Sequence, residues 1–207
     1  ALAEALSESG ADTIAPQIAL GDDGQAVAVW TQRIGDDVYN VAGNRRDATF
    51  KWAGSELLET NDGGSAAVPQ VAVDAVGNAT VVWEQVNSTF LRDIWANRLS
   101  GGIWLGAKKL EADDTGAAGT PQVSSDSAGN AIAVWDQFDG TRFNILSARF
   151  DGTQWSAPQP MEQNPNSAEA PQIAMTPDGR ALAVWKQRNG PANDPATTFD
   201  IAANVFK

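Results

Sequence analysis

Four stretches of the chain alternate apolar and small residues with a period of two and end on a tryptophan. They occupy residues 26–30, 79–83, 131–135 and 181–185, and the first reads Ala-Val-Ala-Val-Trp. A period of two with β-branched residues is typical of a half-buried strand. A shorter alternating stretch precedes each of them across a turn that ends in glycine, as in Gly-Asp-Asp-Gly at 21–24. The pattern therefore predicts four β-hairpins, and no segment has a helical period.

The hairpins belong to an internal repeat of about 50 residues. A Pro-Gln pair opens each repeat, a tryptophan follows fourteen residues after the proline, and a glutamine follows two residues after the tryptophan. A third strand is predicted to begin at an Asn or Asp that precedes a β-branched residue, and a fourth near a second tryptophan. The prolines are Pro16, Pro69, Pro121 and Pro171, the first tryptophans are Trp30, Trp83, Trp135 and Trp185, and the second are Trp52, Trp104 and Trp155.

Four-stranded units of this length favour an all-β fold, a four-bladed β-propeller of four-stranded antiparallel blades in one domain over residues 1–207. The repeats span about 16–68, 69–120, 121–170 and 171–207. The last repeat ends where its fourth strand should begin, and residues 1–15 have the composition of a last strand and return loop. We therefore expect the N-terminal strand to close the last blade, which leaves no open sheet edge. The alternative is that four repeats pair with a second chain into a larger ring.

Residues 171–206 resemble the TolB-type propeller repeat, which has a Ser-Pro-Asp-Gly turn, an apolar strand and a downstream Asp-Ile-Tyr-Val strand. The matching segments are Thr-Pro-Asp-Gly at 176–179 and Asp-Ile-Ala-Ala-Asn-Val-Phe at 200–206. A looser likeness to the Asp-box repeats of sialidases and bacterial propeller lectins lies in residues 74–83 and 126–135, where the aromatic stands farther from the glycine than in that motif. Both resemblances imply a propeller, and a shared fold carries no activity across.

Composition narrows the chemistry that the chain can perform. The absence of cysteine and histidine excludes disulfides, thiolate or imidazole metal sites and histidine-dependent catalysis. A formal net charge of −12 disfavours nucleic acid as a partner. No apolar stretch reaches the roughly 18 residues that a membrane span needs. We expect no membrane insertion, a monomer or a dimer, and an extracellular, cell-surface or periplasmic location in a bacterium.

One rim of the predicted ring collects the polar residues of the repeat, because strand two ends where strand one begins and strand three starts nearby. These residues could form a polar floor that binds a small ligand, or they could satisfy backbone groups at blade junctions. Seven of the eight tryptophans recur and are expected in the core, whereas Trp95 has no aromatic equivalent and is a candidate surface contact. The candidate ligand-binding residues are Gln17, Gln32, Asn40, Gln70, Gln85, Asp93, Trp95, Gln122, Gln137, Asn144, Gln172, Gln187 and Asp200.

Acidic loops are the candidates for a metal site. Their carboxylates could supply oxygen ligands to calcium, but none has the spacing of a known calcium loop, and solvated turn residues are the competing explanation. The loops hold Asp22 and Asp23, Asp36 and Asp37, Glu59 with Asp62, and Glu111 with Asp113 and Asp114. We predict no cofactor.

The function predicted from these features is a non-catalytic binding module that presents its loop-rich face to a protein or a glycan. The sequence holds no phosphate loop, serine elbow or lysine-containing signature, so no catalytic residue and no metal ligand is assigned and the balance is against an enzyme. Two alternatives stay open: a small carboxylate-dependent hydrolase or lyase acting on a polysaccharide, and a structural repeat domain of a larger surface protein.

Overall fold

The computed structural model describes residues 3–8, 10–35, 38–59, 64–112, 115–191 and 196–206. These residues form strands and turns, and none of them belongs to a helix that could cross a membrane. The strands are β1 (Thr13–Leu20), β2 (Ala26–Arg33), β3 (Tyr39–Arg46), β4 (Glu56–Leu57), β5 (Ala66–Val73), β6 (Ala79–Val86), β7 (Arg92–Ser100), β8 (Ile103–Trp104), β9 (Lys108–Lys109), β10 (Ala118–Ser125), β11 (Ala131–Phe138), β12 (Phe143–Phe150), β13 (Gln159–Pro160), β14 (Ala168–Met175), β15 (Ala181–Asn189) and β16 (Thr198–Phe206).

The strands form four antiparallel sheets, one for each repeat, and so confirm the predicted all-β propeller architecture. The sheets run in the order β1-β2-β3-β4, β5-β6-β7-β8, β10-β11-β12-β13 and β14-β15-β16, and β9 pairs with β7 in the second sheet. We call these sheets blades 1 to 4. The first strands contact one another in sequence, β1 against β5, β5 against β10, and β10 against β14.

Each first strand extends beyond its predicted start because it continues through a β-bulge at its proline. In β1 the register shifts between Ile14 and Gln17, and β5, β10 and β14 shift at the same place. A bulge leaves one residue outside the ladder, and its backbone N–H is then free to bond elsewhere. The residue before each proline has a φ between 47° and 54°; these residues are Ala15, Val68, Thr120 and Ala170.

The core lies between the blades, because each second strand directs alternate residues towards opposite neighbours. Trp83 of β6 packs with Val27 and Val29 of blade 1, whereas Val82 packs with Trp135 of blade 3. We call the face of a blade that points to the following blade its leading flank and the opposite face its trailing flank. The first tryptophan of every blade is buried on the trailing flank, and its indole Nε1 donates to the glutamine two residues later at 3.1 Å.

Among the described residues, the predicted closing strand is not formed. Blade 4 has three strands, and residues 3–8 form no strand. They lie instead beside blade 1, where Leu6 packs against Trp30 and the Asn44 side-chain amide donates to the Leu6 carbonyl at 3.2 Å. β1 and β14 do not continue the series of contacts that joins the other first strands. Leu182 and Ile201 on the leading flank of blade 4 are exposed, so the four blades form an open arc.

Candidate functional site

Two carboxylates from adjacent blades meet at the first strand of blade 3. The backbone N–H of Thr120 donates to Oε1 of Glu84 at 2.9 Å, and the Thr120 hydroxyl donates to Oδ2 of Asp136 at 2.6 Å. A Cβ built on Gly119 would lie 3.3 Å from Oε1 of Glu84 and 3.3 Å from Oδ1 of Asp136. These two oxygens are therefore separated by no more than twice that distance. We call Glu84 and Asp136 the carboxylate pair.

The β-bulge of each first strand explains why the carboxylates gather here. Glu84 and Asp136 follow the buried tryptophan of their strands by one residue, so alternation directs them to the leading flank. There each one meets the bulge of the next blade. Glu84 accepts the freed N–H of Thr120, and Asp136 accepts the equivalent N–H of Ala170 at 2.9 Å. Asp136 thus bridges blades 3 and 4, and Thr120 brings it within reach of Glu84.

Burial controls the ionisation of the carboxylate pair. Desolvation raises the pKa of Glu84, and the charge of Asp136 adds to that increase, against the hydrogen bond from Thr120 and the charge of Arg92. Desolvation also raises the pKa of Asp136, against hydrogen bonds from Thr120 and Ala170. A carboxyl group with a raised pKa keeps its proton nearer to neutral pH and can then act as a general acid.

One exposed side chain contacts the carboxylate pair, and an exposed aromatic residue lies in the turn that precedes it. Arg92 places Nε 3.3 Å from Oε2 of Glu84, and more than half of its side chain is exposed. Phe90 lies in the turn between β6 and β7 and is 89% exposed. The cation beside the pair can bind an anionic group of a ligand, and the uncovered ring in the same turn region offers an apolar face.

The second glutamine of each repeat has a structural role at the blade junction. Gln85 lies opposite Asp93 in the β6–β7 ladder, accepts the Trp83 indole N–H and donates to the Gly64 carbonyl. Gln187 repeats this arrangement in blade 4 with the carbonyl of Asn166. Gln32, Gln85, Gln137 and Gln187 are all buried. The hydrogen bonds of Gln85 and Gln187 satisfy backbone carbonyls at the blade junctions, which is the role that the sequence offered as the alternative to ligand binding.

The first glutamine of each repeat does not join the other rim residues, and the predicted grouping is wrong for a reason of register. Thr13 takes the place opposite Gln32, whereas Gln17 lies opposite Val29. Each first strand begins four residues before its glutamine, so the glutamine lies within the strand and not at its end. Gln70, Gln122 and Gln172 are displaced in the same way.

The Asn or Asp positions differ from blade to blade. Asn40 and Asp93 are buried, Asn144 is half-buried and Asp200 is exposed. Asp93 forms an ion pair with Lys109, whose Nζ lies 3.0 Å from Oδ2. The remaining candidate, Trp95, is half-buried and packs against the core between blades 1 and 2.

A second buried acid lies in blade 2, apart from the carboxylate pair. Glu111 has Lys109 Nζ at 2.8 Å from one oxygen and accepts a hydrogen bond from Gln137 at 3.0 Å on the other. Burial raises the pKa of Glu111. Lys109 and Gln137 hold this acid in a side-chain network between blades 2 and 3.

The acidic loops form no cluster of three or more candidate metal ligands among the residues that the structure describes. The Asp23 carboxylate accepts hydrogen bonds from the Gln25 backbone at 3.1 Å and side chain at 2.7 Å, as a turn residue does. Five of the calcium candidates lie outside the described residues: Asp36, Asp37, Asp62, Asp113 and Asp114.

No family model matches the chain, and no curated protein sequence is significantly similar to it. Solved structures do resemble it. The GH93 α-L-arabinofuranosidase of Fusarium graminearum, solved with arabinobiose, matches with a TM-score of 0.58 at 13% identity, over 97% of this chain and 65% of that one. A Hadza microbial sialidase matches with a TM-score of 0.57 at 11% identity, over 90% and 43%. A PL25 ulvan lyase matches with a TM-score of 0.57 at 11% identity, over 93% and 52%.

The chain spans less than two thirds of the length of each of these three proteins. The comparisons support the propeller fold and the looser likeness to sialidase propellers, and they give no support to a TolB-type repeat. They also contradict the prediction of a non-catalytic binding module, because the neighbours are glycoside hydrolases, a sialidase and a polysaccharide lyase. The alternative of a carboxylate-dependent hydrolase or lyase fits them better.

Proposed function

We propose that the chain is part of a glycan-cleaving enzyme and that Glu84 and Asp136 are its reacting carboxyl groups. The observation that supports this proposal is their convergence on Thr120, with burial raising the pKa of both. Cleavage of a glycosidic bond in water uses two carboxyl groups on either side of the bond. Their separation is about 5 Å in retaining enzymes and roughly 6.5–9.5 Å in inverting ones. The upper limit set by Gly119, twice 3.3 Å, allows the separation of a retaining enzyme and lies at the lower edge of the inverting range.

The surroundings of the pair assign a role to each carboxyl group. Asp136 accepts hydrogen bonds from Thr120 and Ala170 on the same oxygen, and these donors fix its orientation. Glu84 accepts one hydrogen bond on Oε1 and turns Oε2 towards the exposed Arg92. Glu84 is therefore the group better placed to exchange a proton with a substrate. Asp136 would stabilise positive charge that develops on the sugar ring.

The substrate class is inferred from Arg92, which contacts the pair, and from the exposed ring of Phe90 in the turn between β6 and β7. The Phe90 ring offers a face on which a sugar ring can stack, and the Arg92 guanidinium can bind a carboxylate or sulfate group. A polysaccharide that carries anionic groups suits both contacts. We keep the proposal of an exported protein, since large polysaccharides lie outside the cell.

The test measures turnover on a panel of polysaccharides. Arabinan, a sulfated uronate-rhamnose polymer and a sialylated oligosaccharide are incubated with the protein, and the release of reducing ends and of unsaturated products is followed. Glu84→Gln and Asp136→Asn should each lower the rate by at least about 100-fold. Circular dichroism and thermal melting of each variant establish that the fold is retained.

The matched control is Glu111→Gln, which changes a buried carboxyl group whose pKa burial also raises. It should melt at a lower temperature and retain the wild-type rate per folded molecule. Equal rates for the wild type and for folded Glu84→Gln and Asp136→Asn would contradict the proposal, as would the absence of cleavage across the whole panel.

A further inference from the structure

An arginine recurs near the end of the third strand of blades 1, 2 and 3, at the junction with the following blade. The three are Arg45, Arg98 and Arg149. In blade 2 the Arg98 guanidinium donates to the Thr80 hydroxyl at 2.6 Å and stacks on the Phe150 ring, with Cζ 4.4 Å from its centre. Burial lowers the pKa of Arg98, and the charge of Asp74 opposes that decrease. A hydroxyl, a ring and a carboxylate thus stabilise this arginine.

The equivalent arginine of blade 1, Arg45, lacks counterparts of all three partners. Val27 lies opposite Arg45 in the ladder and has no hydroxyl. Leu99 stands where the stacked ring stands in the next junction, and Gly21 stands where the acidic residue stands in the turn of blade 2. Arg45 is half-buried, and its buried Nε donates to no acceptor among the described residues. Its charge therefore has no stabilising partner of the kind found in blade 2.

A cavity of about 450 Å³ lies beside Arg45 and Leu99 at this junction. One wall comes from blade 1 and the other from blade 2, where Gly77 and Asn78 contribute to it. Gly102, with a φ of 81°, lets the turn after β7 approach so closely that a Cβ there would lie 2.9 Å from Nη1 of Arg45. Small-molecule sites span about 300–1,000 Å³, so the cavity is of a size to hold a ligand.

The rim of the cavity carries cations, although the chain as a whole has a formal charge of −12. Arg46 and Lys51 join Arg45 there, together with the acidic Asp47. Oδ1 of Asp47 is engaged within its own turn, where it accepts hydrogen bonds from the hydroxyl and N–H of Thr49 and from the N–H of Lys51. A guanidinium that loses water without gaining a partner is destabilising, and a bound oxyanion would offset that loss.

We propose that this cavity binds an oxyanion, a carboxylate or a sulfate, carried by a ligand about the size of one sugar unit, with Arg45 as its main contact. A planar guanidinium pairs with such groups through two parallel hydrogen bonds. Trp52 also lines the cavity and offers apolar surface to a sugar ring.

This site is separate from the carboxylate pair. Asn78 directly precedes β6, and Glu84 lies six residues further along that strand, which corresponds to about 20 Å. The two sites therefore lie at opposite ends of the strands, and the inference does not depend on the proposed glycan cleavage.

Isothermal titration calorimetry with glucuronate, glucose 6-sulfate, inorganic sulfate and neutral glucose tests the proposal. Both charged sugars should bind, inorganic sulfate should bind more weakly, and glucose should not bind. Arg45→Gln should weaken binding of the charged sugars by at least about 10-fold, because it removes charge-assisted hydrogen bonds. In ¹H–¹⁵N spectra, the Nε–Hε signal of Arg45 should shift as each charged sugar saturates the wild type.

Two further variants separate the cavity from the charge. Leu99→Phe introduces the ring of the next junction without changing the net charge, so it should fill the cavity and abolish binding. Arg149→Gln is the matched control: it removes the same charge from a guanidinium that stacks on Phe206 at 4.8 Å, and it should bind as the wild type does. Thermal melting without ligand establishes that each variant is folded.

Four results would overturn the proposal. One is a wild-type chain that binds neither charged sugar. Another is unchanged affinity in folded Arg45→Gln or Leu99→Phe, because the ligand would then lie elsewhere. Equal affinity for glucuronate and neutral glucose would show that the cavity does not recognise the anionic group. Equal affinity for inorganic sulfate and glucose 6-sulfate would show that it recognises no sugar.

Discussion

The contrast between Ile145 and Ile201 provides a stringent test of the open arc. Both residues occupy the same place in their repeats, on the third strand and on the leading flank. Ile145 is 0% exposed and packs into the core between blades 3 and 4. Ile201 has no following blade to pack against. Replacing each with alanine removes the same three carbon groups from two opposite environments.

The expected free energies of unfolding follow from the exposure. Three buried methyl or methylene groups correspond to about 2.4 kcal/mol of transfer free energy, and the cavity that remains adds to this loss. Ile145→Ala should therefore lower the stability by about 2–5 kcal/mol. Ile201 is 76% exposed, so about a quarter of the transfer free energy is at stake, or about 0.6 kcal/mol.

Urea denaturation of both variants, followed by tryptophan fluorescence, measures this difference. The protein concentration is kept low so that single copies predominate. If Ile201→Ala lost as much stability as Ile145→Ala under these conditions, the flank of blade 4 would be covered by its own chain. The open arc would then be refuted.

Three further predictions concern individual contacts. The pKa of Asp151 is lowered to about 2, chiefly by the hydrogen bond from a threonine hydroxyl. The ionised Asp151 therefore stabilises the fold above its unfolded pKa near 4, and this contribution disappears as the pH falls towards 2. Asp151→Asn should flatten the acid limb of a profile of melting temperature against pH between those two values. A Cβ on Gly116 would lie 2.3 Å from the Phe138 carbonyl oxygen, so Gly116→Ala should lower the free energy of unfolding by about 1–3 kcal/mol. A Cβ on Gly35 would meet no atom within 4 Å, so Gly35→Ala is the control and should leave the melting temperature nearly unchanged. Gln137→Leu should lower the free energy of unfolding by about 1–3 kcal/mol, because it removes the acceptor of a buried indole N–H. If the variant were as stable as the wild type, this hydrogen bond would contribute nothing to the fold.

The repeat predicted the architecture well because a propeller blade is a local structure. Hairpin periodicity, turn glycines and tryptophan spacing all act within one repeat, and the four sheets follow them. Closure of the ring is a global property. It depends on the angle at which successive blades pack, and the spacing of residues along the sequence does not encode that angle. The assignment of residues 1–15 to blade 4 was wrong for this reason.

The candidate site was harder to predict because β-bulges determine it. The sequence placed Gln17 beside Gln32 because it started the first strand at Gln17, whereas the strand starts at Thr13 and Gln17 lies opposite Val29. The β-bulges that precede these glutamines free the amides that gather the carboxylate pair. A signal was present at the residue between the first tryptophan and the second glutamine of each repeat, which varies while its two neighbours are constant. The four residues are Thr31, Glu84, Asp136 and Lys186.

The central claim is that Glu84 and Asp136 ionise as an interacting buried pair poised for acid–base chemistry. Carbon-13 NMR titration of the labelled carboxyl groups measures this directly in the folded protein. The pKa of both groups should lie above their ordinary values, and Asp136→Asn should lower the pKa of Glu84 because it removes a neighbouring negative charge. Ordinary pKa values for both groups, with Glu84 unaffected by Asp136→Asn, would contradict the account.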